Sequence, residues 1–169
     1  MIDRQLLCDL LDRSEERFLD SFHQMTLEEA NTMPDPLIKS VSWLIWHTAK
    51  MLDQQVSELK GEEALYFSQG WVDRFAFDLP RDTEEWKHRP VEARKVIIKD
   101  KNLLIDYLKV TFNLSKTYLS QLDFNSLDEI IDRSWNPPVT RAVRLVSTID
   151  DALMHSGQAV YTRRLVLGK

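Results

Sequence analysis

The sequence predicts an all-α protein built as a four-helix bundle. Apolar residues recur every three or four positions along four long stretches, which is the pattern of amphipathic helices. The 169 residues include only four glycines and six prolines, too few for the many tight turns of a β-sandwich or barrel. A long link separates the second and third predicted helices, as in bundles with a crossover connection. We therefore expect one domain over residues 1–169, large enough to bury its own core.

The first two helices have recognisable limits. The first is predicted over residues 2–25, and it ends before a segment whose two prolines cannot continue a helix. The second is predicted over 40–60, because Ser40 or Ser42 can cap its start. Gly61 is a natural stop at its other end.

The last two helices are longer. The third is predicted over residues 91–122, directly after Pro90, which is compatible with a first helical turn. The fourth is predicted over 140–167. Thr140, or the residues just before it, begins this helix, and Gly168 follows its end.

The link between the second and third helices is less regular and rich in aromatic residues. Connections of this length are uncommon unless they fold over something. One interpretation is a flap that closes one end of the core, and the other is a wall or lid of a pocket. The aromatic residues concerned are Tyr66, Phe67, Trp71, Phe75, Phe77 and Trp86.

Composition excludes several classes of function. The formal net charge is -5, whereas proteins that bind nucleic acids usually carry a basic patch, so we expect no nucleic-acid partner. No apolar run reaches the length of about 18 residues that a membrane span needs, and no signal peptide is visible. A single cysteine, Cys8, excludes a disulfide framework and a thiolate metal cluster. We expect a cytoplasmic protein.

The four histidines differ in their surroundings. His23 ends the first helix, where the helix dipole favours a cation, and His88 is predicted to lie on the surface of the irregular link. His47 lies at the flank of the apolar line of the second helix. Asp151 and His155 are four residues apart on the last helix and therefore share a face.

The chemistry that needs this last arrangement is metal ligation. Two side chains one helical turn apart can reach the same ion, and a third ligand must then come from a neighbouring helix. Two imidazoles and one carboxylate leave coordination positions open and suit Zn, Fe, Ni or Mn. The same pattern also fits an ordinary Asp–His pair on a solvated helix face, so the spacing leaves both interpretations open.

The last helix carries a family signature. Residues 155–166 read His-Ser-Gly-Gln-Ala-Val-Tyr-Thr-Arg-Arg-Leu-Val. This run resembles the DinB/YfiT-like superfamily, in which His-x-Gly-Gln is followed by apolar residues and an arginine. Trp46 and His47 look like the first metal position of that family. The resemblance implies a four-helix bundle, often homodimeric, with a divalent metal held by three histidines.

The resemblance also implies a function and a site. Some related proteins are transferases or isomerases that use low-molecular-weight thiols, and others are metal-dependent hydrolases. His47 and His155 match the family's ligands, whereas Asp151 stands where the family usually has histidine. In an enzyme with this site, we expect Gln158 to orient one of the ligands and the aromatic segment 66–86 to wall the substrate pocket.

Two hypotheses follow for the function. The first is a divalent-metal-dependent enzyme, a hydrolase or a thiol transferase, that acts on a small molecule. Its metal is held by His47, Asp151 and His155. The alternative is a non-catalytic dimeric bundle with a vestigial metal site and no ion. Both hypotheses predict a homodimer.

Overall fold

The computed structural model describes residues 4–169, so Ile2, near the start of the first predicted helix, lies outside the described residues. These residues form α-helices, two short 3-10 helices (Glu85–Lys87 and Phe124–Ser126) and an antiparallel pair of strands, β1 (Ile130–Asp132) and β2 (Val139–Thr140). The α-helices are α1 (Arg4–His23), α2 (Leu27–Asn31), α3 (Val41–Lys60), α4 (Leu65–Ser68), α5 (Trp71–Phe75), α6 (Pro90–Ala93), α7 (Lys101–Gln121) and α8 (Arg141–Leu167).

Four of these helices form the bundle that the sequence predicts. Each of α1 and α3 packs against both α7 and α8. The apolar faces of the four helices enclose one core, so the prediction of an all-α bundle is confirmed. Within residues 4–169, no helix combines the length and the apolar character that crossing a membrane requires.

The ends of α3 and α8 follow from their capping residues. The Ser40 hydroxyl accepts a hydrogen bond from the Trp43 amide at 3.1 Å, and the Thr140 hydroxyl accepts one from Val143 at 3.3 Å. Both contacts satisfy amides that the first helical turn leaves free. Gly61 ends α3 with a φ of 69°, a left-handed conformation that glycine adopts without steric cost.

The third predicted helix, over 91–122, is wrong in its first third, because the chain divides it into α6 and α7. The Asn31 side chain donates to the Ile98 carbonyl at 2.9 Å and accepts from the Ile98 amide at 3.0 Å. These bonds use the backbone groups that a continuous helix would need at this point. The carboxylate of Asp100 then caps α7 by accepting from the Asn102 amide.

The aromatic link packs onto the core, in agreement with the flap interpretation. Tyr66, Trp71 and Phe75 are buried, and their rings lie 5.0–5.7 Å from the ring of Tyr107 on α7. Trp86 is the exception, since it remains 67% exposed. Burial of the other rings brings the end of this link, with its short 3-10 helix, against α3.

Candidate metal centre

The neighbouring helices α3 and α8 bring His47, Asp151 and His155 together. One ligand atom from each residue lies within 4.8 Å of the other two. The Nε2 of His47 is 3.6 Å from the Oδ2 of Asp151, and the Nε2 of His155 is 3.4 Å from the Oδ1 of the same carboxylate. The two imidazole rings are perpendicular, with centroids 4.6 Å apart. Two ring nitrogens and a carboxylate therefore converge on one point.

The electrostatics of the group favour a positive charge beside Asp151. Burial by itself raises the pKa of Asp151, but the contacts with His155 and His47 outweigh it and hold this pKa well below its usual range. Burial acts to lower the pKa of His155, whereas the hydrogen bond and charge of Asp151 raise it above its ordinary value. The ionised carboxylate and the imidazolium thus stabilise each other.

The donor set fits a divalent cation. The Oδ2 of Asp151 is buried, and no described residue provides it with a hydrogen-bond partner. Seven buried side-chain polar atoms of residues 4–169 lack a hydrogen-bond partner, and this one is a carboxylate oxygen that a bound cation would satisfy. The imidazole nitrogens and carboxylate oxygen are ligands that Zn, Ni, Fe and Mn all accept.

Gln158 holds the outer nitrogen of His155. The Nδ1 of His155 lies 2.6 Å from the Oε1 of Gln158, so the Nδ1–H donates to the amide oxygen. When the His155 ring is neutral, its proton is therefore on Nδ1, and the lone pair of Nε2 faces Asp151. A contact of this kind fixes both the tautomer and the orientation of a metal-binding histidine.

A buried ion pair lies behind the other histidine, His47. The Nζ of Lys50 is 2.6 Å from the Oε2 of Glu85, and both side chains are almost fully buried. The Oε1 of Glu85 faces the Nδ1 of His47 at 4.0 Å. The carboxylate therefore lies on the side of the imidazole opposite to Asp151. Our sequence interpretation missed this pair, although a lysine within the apolar stretch of α3 was a signal.

The prediction that His88 lies on the surface is wrong. The Nε1–H of Trp43 donates to its Nδ1 at 3.1 Å, and its Nε2 lies 2.8 Å from the hydroxyl of Thr83. Burial lowers the pKa of His88 and favours the neutral ring that these contacts require. Trp43 in turn stacks on His47 with 4.7 Å between ring centroids. His88 thus holds the ring that covers His47.

Two grooves flank the three converging residues. Neither is lined by a residue of the segment 66–86, which instead walls a separate cavity of about 150 Å³. That this segment walls the substrate pocket stays a prediction. The His155 groove, of about 380 Å³, is lined by Leu37, Ile38, Lys39, Trp43, Leu44, His155, Gln158, Tyr161 and Thr162. The Asp151 groove, of about 480 Å³, is lined by Met51, Gln55, Glu58, Asp132, Trp135, Val139, Val143, Arg144, Ser147, Thr148 and Asp151.

Comparison with known proteins agrees with the observed fold. The sequence model of the DinB superfamily matches residues 10–159. The chain belongs to the DinB superfamily. A conserved protein from Enterococcus faecalis, known from a crystal structure, is 57% identical to this DinB superfamily chain. Their superposition has a TM-score of 0.96 and covers 100% of this chain and 99% of the other. No protein of curated function matches the sequence significantly.

Proposed function

We propose that this DinB superfamily protein is a divalent-metal-dependent enzyme that acts on a small molecule, as a hydrolase or as a low-molecular-weight-thiol transferase. His47, Asp151 and His155 hold the ion. One observation carries this proposal: three ligand atoms from two helices lie within 4.8 Å of one another. The buried Asp151 oxygen, which lacks a hydrogen-bond partner among residues 4–169, supports it further.

Each residue has a distinct role in this proposal. A divalent ion supplies Lewis acidity, which makes a water or a small thiol nucleophilic at neutral pH. His47 presents its Nε2 from a buried position on α3, and Gln158 keeps His155 in the orientation that directs Nε2 inward. The carboxylate of Asp151 neutralises one positive charge of the ion. Three protein ligands leave coordination positions open for a substrate that enters through a groove.

Metal titration tests the ligand assignment. Chelator-treated protein is titrated with Zn, Ni, Fe(II) and Mn for the wild type, His155→Ala and Asp151→His, with His23→Ala as the matched control on the exposed end of α1. We expect His155→Ala to lose binding with an unchanged helical signal, and His23→Ala to bind as the wild type does. Asp151→His should bind Zn and Ni more tightly, because imidazole is the softer ligand.

The outcomes separate the two hypotheses. Equal binding by the wild type and His155→Ala would show that the site assignment is wrong. Turnover of small esters, amides or thiol acceptors that needs the ion and disappears in His155→Ala supports an enzyme. Metal binding without any turnover across that panel contradicts the enzyme, and the absence of metal binding favours the non-catalytic bundle with a vestigial site.

A cytoplasmic location and a symmetric homodimer remain part of the proposal. Several large apolar side chains of α8 are about half exposed or more, which is typical of surfaces that pair. They are Val143, Val146, Met154 and Tyr161. Light scattering at micromolar concentration should give about twice the chain mass of 19.9 kDa. A mass equal to that of one chain would contradict the dimer.

A further inference from the structure

The His155 groove has polar side chains of one chemical kind. Lys39, Gln158, Tyr161 and Thr162 can all donate hydrogen bonds into it, and none of its nine lining residues is Asp or Glu. The amide oxygen of Gln158 already accepts from His155, so its NH2 group remains as a donor. The rest of the lining is apolar. This groove therefore favours a ligand that is apolar over most of its surface and carries an acceptor group.

The Asp151 groove has the opposite character. It contains three carboxylates, those of Glu58, Asp132 and Asp151, and one cation, Arg144. The guanidinium of Arg144 lies 2.9 Å from Glu58 and 3.3 Å from Asp132, and it donates to Gln55 at 2.6 Å. Its charge is therefore already neutralised by groups of the protein. An anion would be repelled from this side of the site.

Lys39 gives the His155 groove a positive charge close to the site. Its ammonium has three donors, and the His88 carbonyl accepts one of them at 2.8 Å. The Nζ lies 5.1 Å from the ring centroid of Trp43, and the same ring contacts both His47 and His155. One tryptophan side chain therefore links the cation to the metal-binding candidates.

We propose that the His155 groove binds an amphiphilic anion, a small aliphatic or aromatic molecule with a carboxylate or similar group, as the substrate of the site. The anionic group pairs with Lys39, and the apolar part packs against Leu37, Ile38 and Leu44. The volume of about 380 Å³ lies in the range of small-ligand pockets. Naming this molecule as the substrate rests on the proposed function, whereas its binding does not.

Three probes of equal chain length test the charge preference. Octanoate, octanol and octylamine are titrated into the chelator-treated full-length protein, and binding is followed by calorimetry and by NMR. We expect octanoate to bind about tenfold more tightly than octanol, because a hydrogen bond to a charged group is stronger than a neutral one. Octylamine should bind most weakly.

Two variants locate the preference in this groove. Lys39→Met should weaken octanoate about tenfold and leave octanol unchanged, whereas the matched control Lys109→Met, on the exposed face of α7, should change neither. Leu37 is 82% exposed, so Leu37→Asp adds a carboxylate at the groove with little risk to folding. This variant should reverse the order of octanoate and octylamine.

The result is decisive in either direction. The inference is overturned if octylamine equals octanoate in the wild type, if Lys39→Met keeps the preference, or if none of the probes binds. These outcomes are independent of the metal titration. Octanoate preference without metal binding removes the proposed enzyme and leaves the anion site, whereas metal binding without that preference removes only the anion site.

Discussion

The two sides of the candidate site differ in how firmly the protein holds them. His47, on α3, is 5% exposed and is covered by Trp43 on one ring face. Asp151 and His155, on α8, are half-buried and line the two grooves. Substitution of a residue that is fixed in the core costs stability, whereas substitution of a residue that lines a groove costs little. Asp151, at the position where the resemblance implies a histidine, lies on the groove-lining side.

The buried side also contains charges that need a physical reason. A charged group costs several kcal/mol to bury unless it is paired and hydrogen-bonded. Lys50 is 0% exposed, and it is satisfied by Glu85 and by the Thr83 carbonyl at 3.0 Å. This arrangement leaves one Glu85 oxygen turned towards His47. The pair therefore both anchors the aromatic link and presents a carboxylate to the histidine.

The largest expected effect comes from breaking this pair. Lys50→Met leaves the Glu85 carboxylate buried without its cation, which should lower the free energy of unfolding by about 3–5 kcal/mol. Lys87→Met is the matched control: the Lys87–Glu84 pair has the same 2.6 Å separation, but both side chains are more than half exposed. It should change stability little. Urea denaturation of the metal-free proteins measures both.

A small decrease in the free energy of unfolding of Lys50→Met would mean that Glu85 moves into solvent or takes up a proton. The α3 side would then be as adaptable as the α8 side, and the comparison between them would fail. Equal losses in the two lysine variants would have the same meaning, since burial would make no difference to the pair.

The next effect concerns metal affinity. Glu85→Gln removes the negative charge that lies 4.0 Å from the Nδ1 of His47, a separation longer than a hydrogen bond. Hydrogen-bonded partners of ligating histidines typically contribute about 10–100-fold to metal affinity, so this longer contact belongs at the lower end of that range. We therefore expect zinc to bind about tenfold more weakly, measured by competition with a chromophoric chelator. The control is Asp53→Asn, which changes a buried carboxylate on α3 that instead accepts from the Leu65 and Tyr66 amides.

The control distinguishes a specific effect of Glu85 on His47 from a general loss of stability. Asp53→Asn should lower stability and leave zinc affinity unchanged, because none of its hydrogen-bond partners belongs to the candidate site. They are Ser57, Leu65, Tyr66 and Tyr107. If both variants lose zinc affinity equally, Glu85 has no specific effect on His47. The electronic absorption of Co(II)-loaded protein gives a second measure, since it responds to ligand geometry and not to stability.

The limits of α3 and α8 could be predicted from the sequence because their signals are local. Ser40, Gly61 and Thr140 act within one turn of the helix that each delimits. The break between α6 and α7 depends on contacts between Asn31 and Ile98, which are 67 residues apart. Apolar periodicity has no information about such a pairing, and this is why the third helix was predicted too long.

The candidate site likewise contains residues that the sequence could predict and a residue that it could not. The spacing of Asp151 and His155 predicts a shared face, and the resemblance to the family adds His47 from another helix. The structure brings these three together, while their binding of a metal remains a proposal. Glu85 could not be predicted as a neighbour of His47, because the link that carries it has no regular periodicity. Its partner, Lys50, lies 35 residues earlier in the chain.

The smallest expected effect is a difference in titration between the two sides. His155 on α8 has a raised pKa because Asp151 outweighs its burial, and His88 behind α3 has a pKa lowered by burial. An NMR titration of the chelator-treated protein should therefore place His155 above, and His88 below, the ordinary histidine value of about 6.5. The reverse order would contradict the comparison.

The same shifts fix the sign of the pH dependence of stability. The contribution of His155 is complete below its ordinary pKa and is lost as pH rises through the raised value in the folded protein. That of His88 is complete above its ordinary pKa and is lost as pH falls through the lowered value. His155→Gln should thus flatten only the alkaline side of the stability profile, and His88→Gln only the acidic side. Urea denaturation at several pH values measures both, and a variant that alters the opposite side would refute its assigned environment.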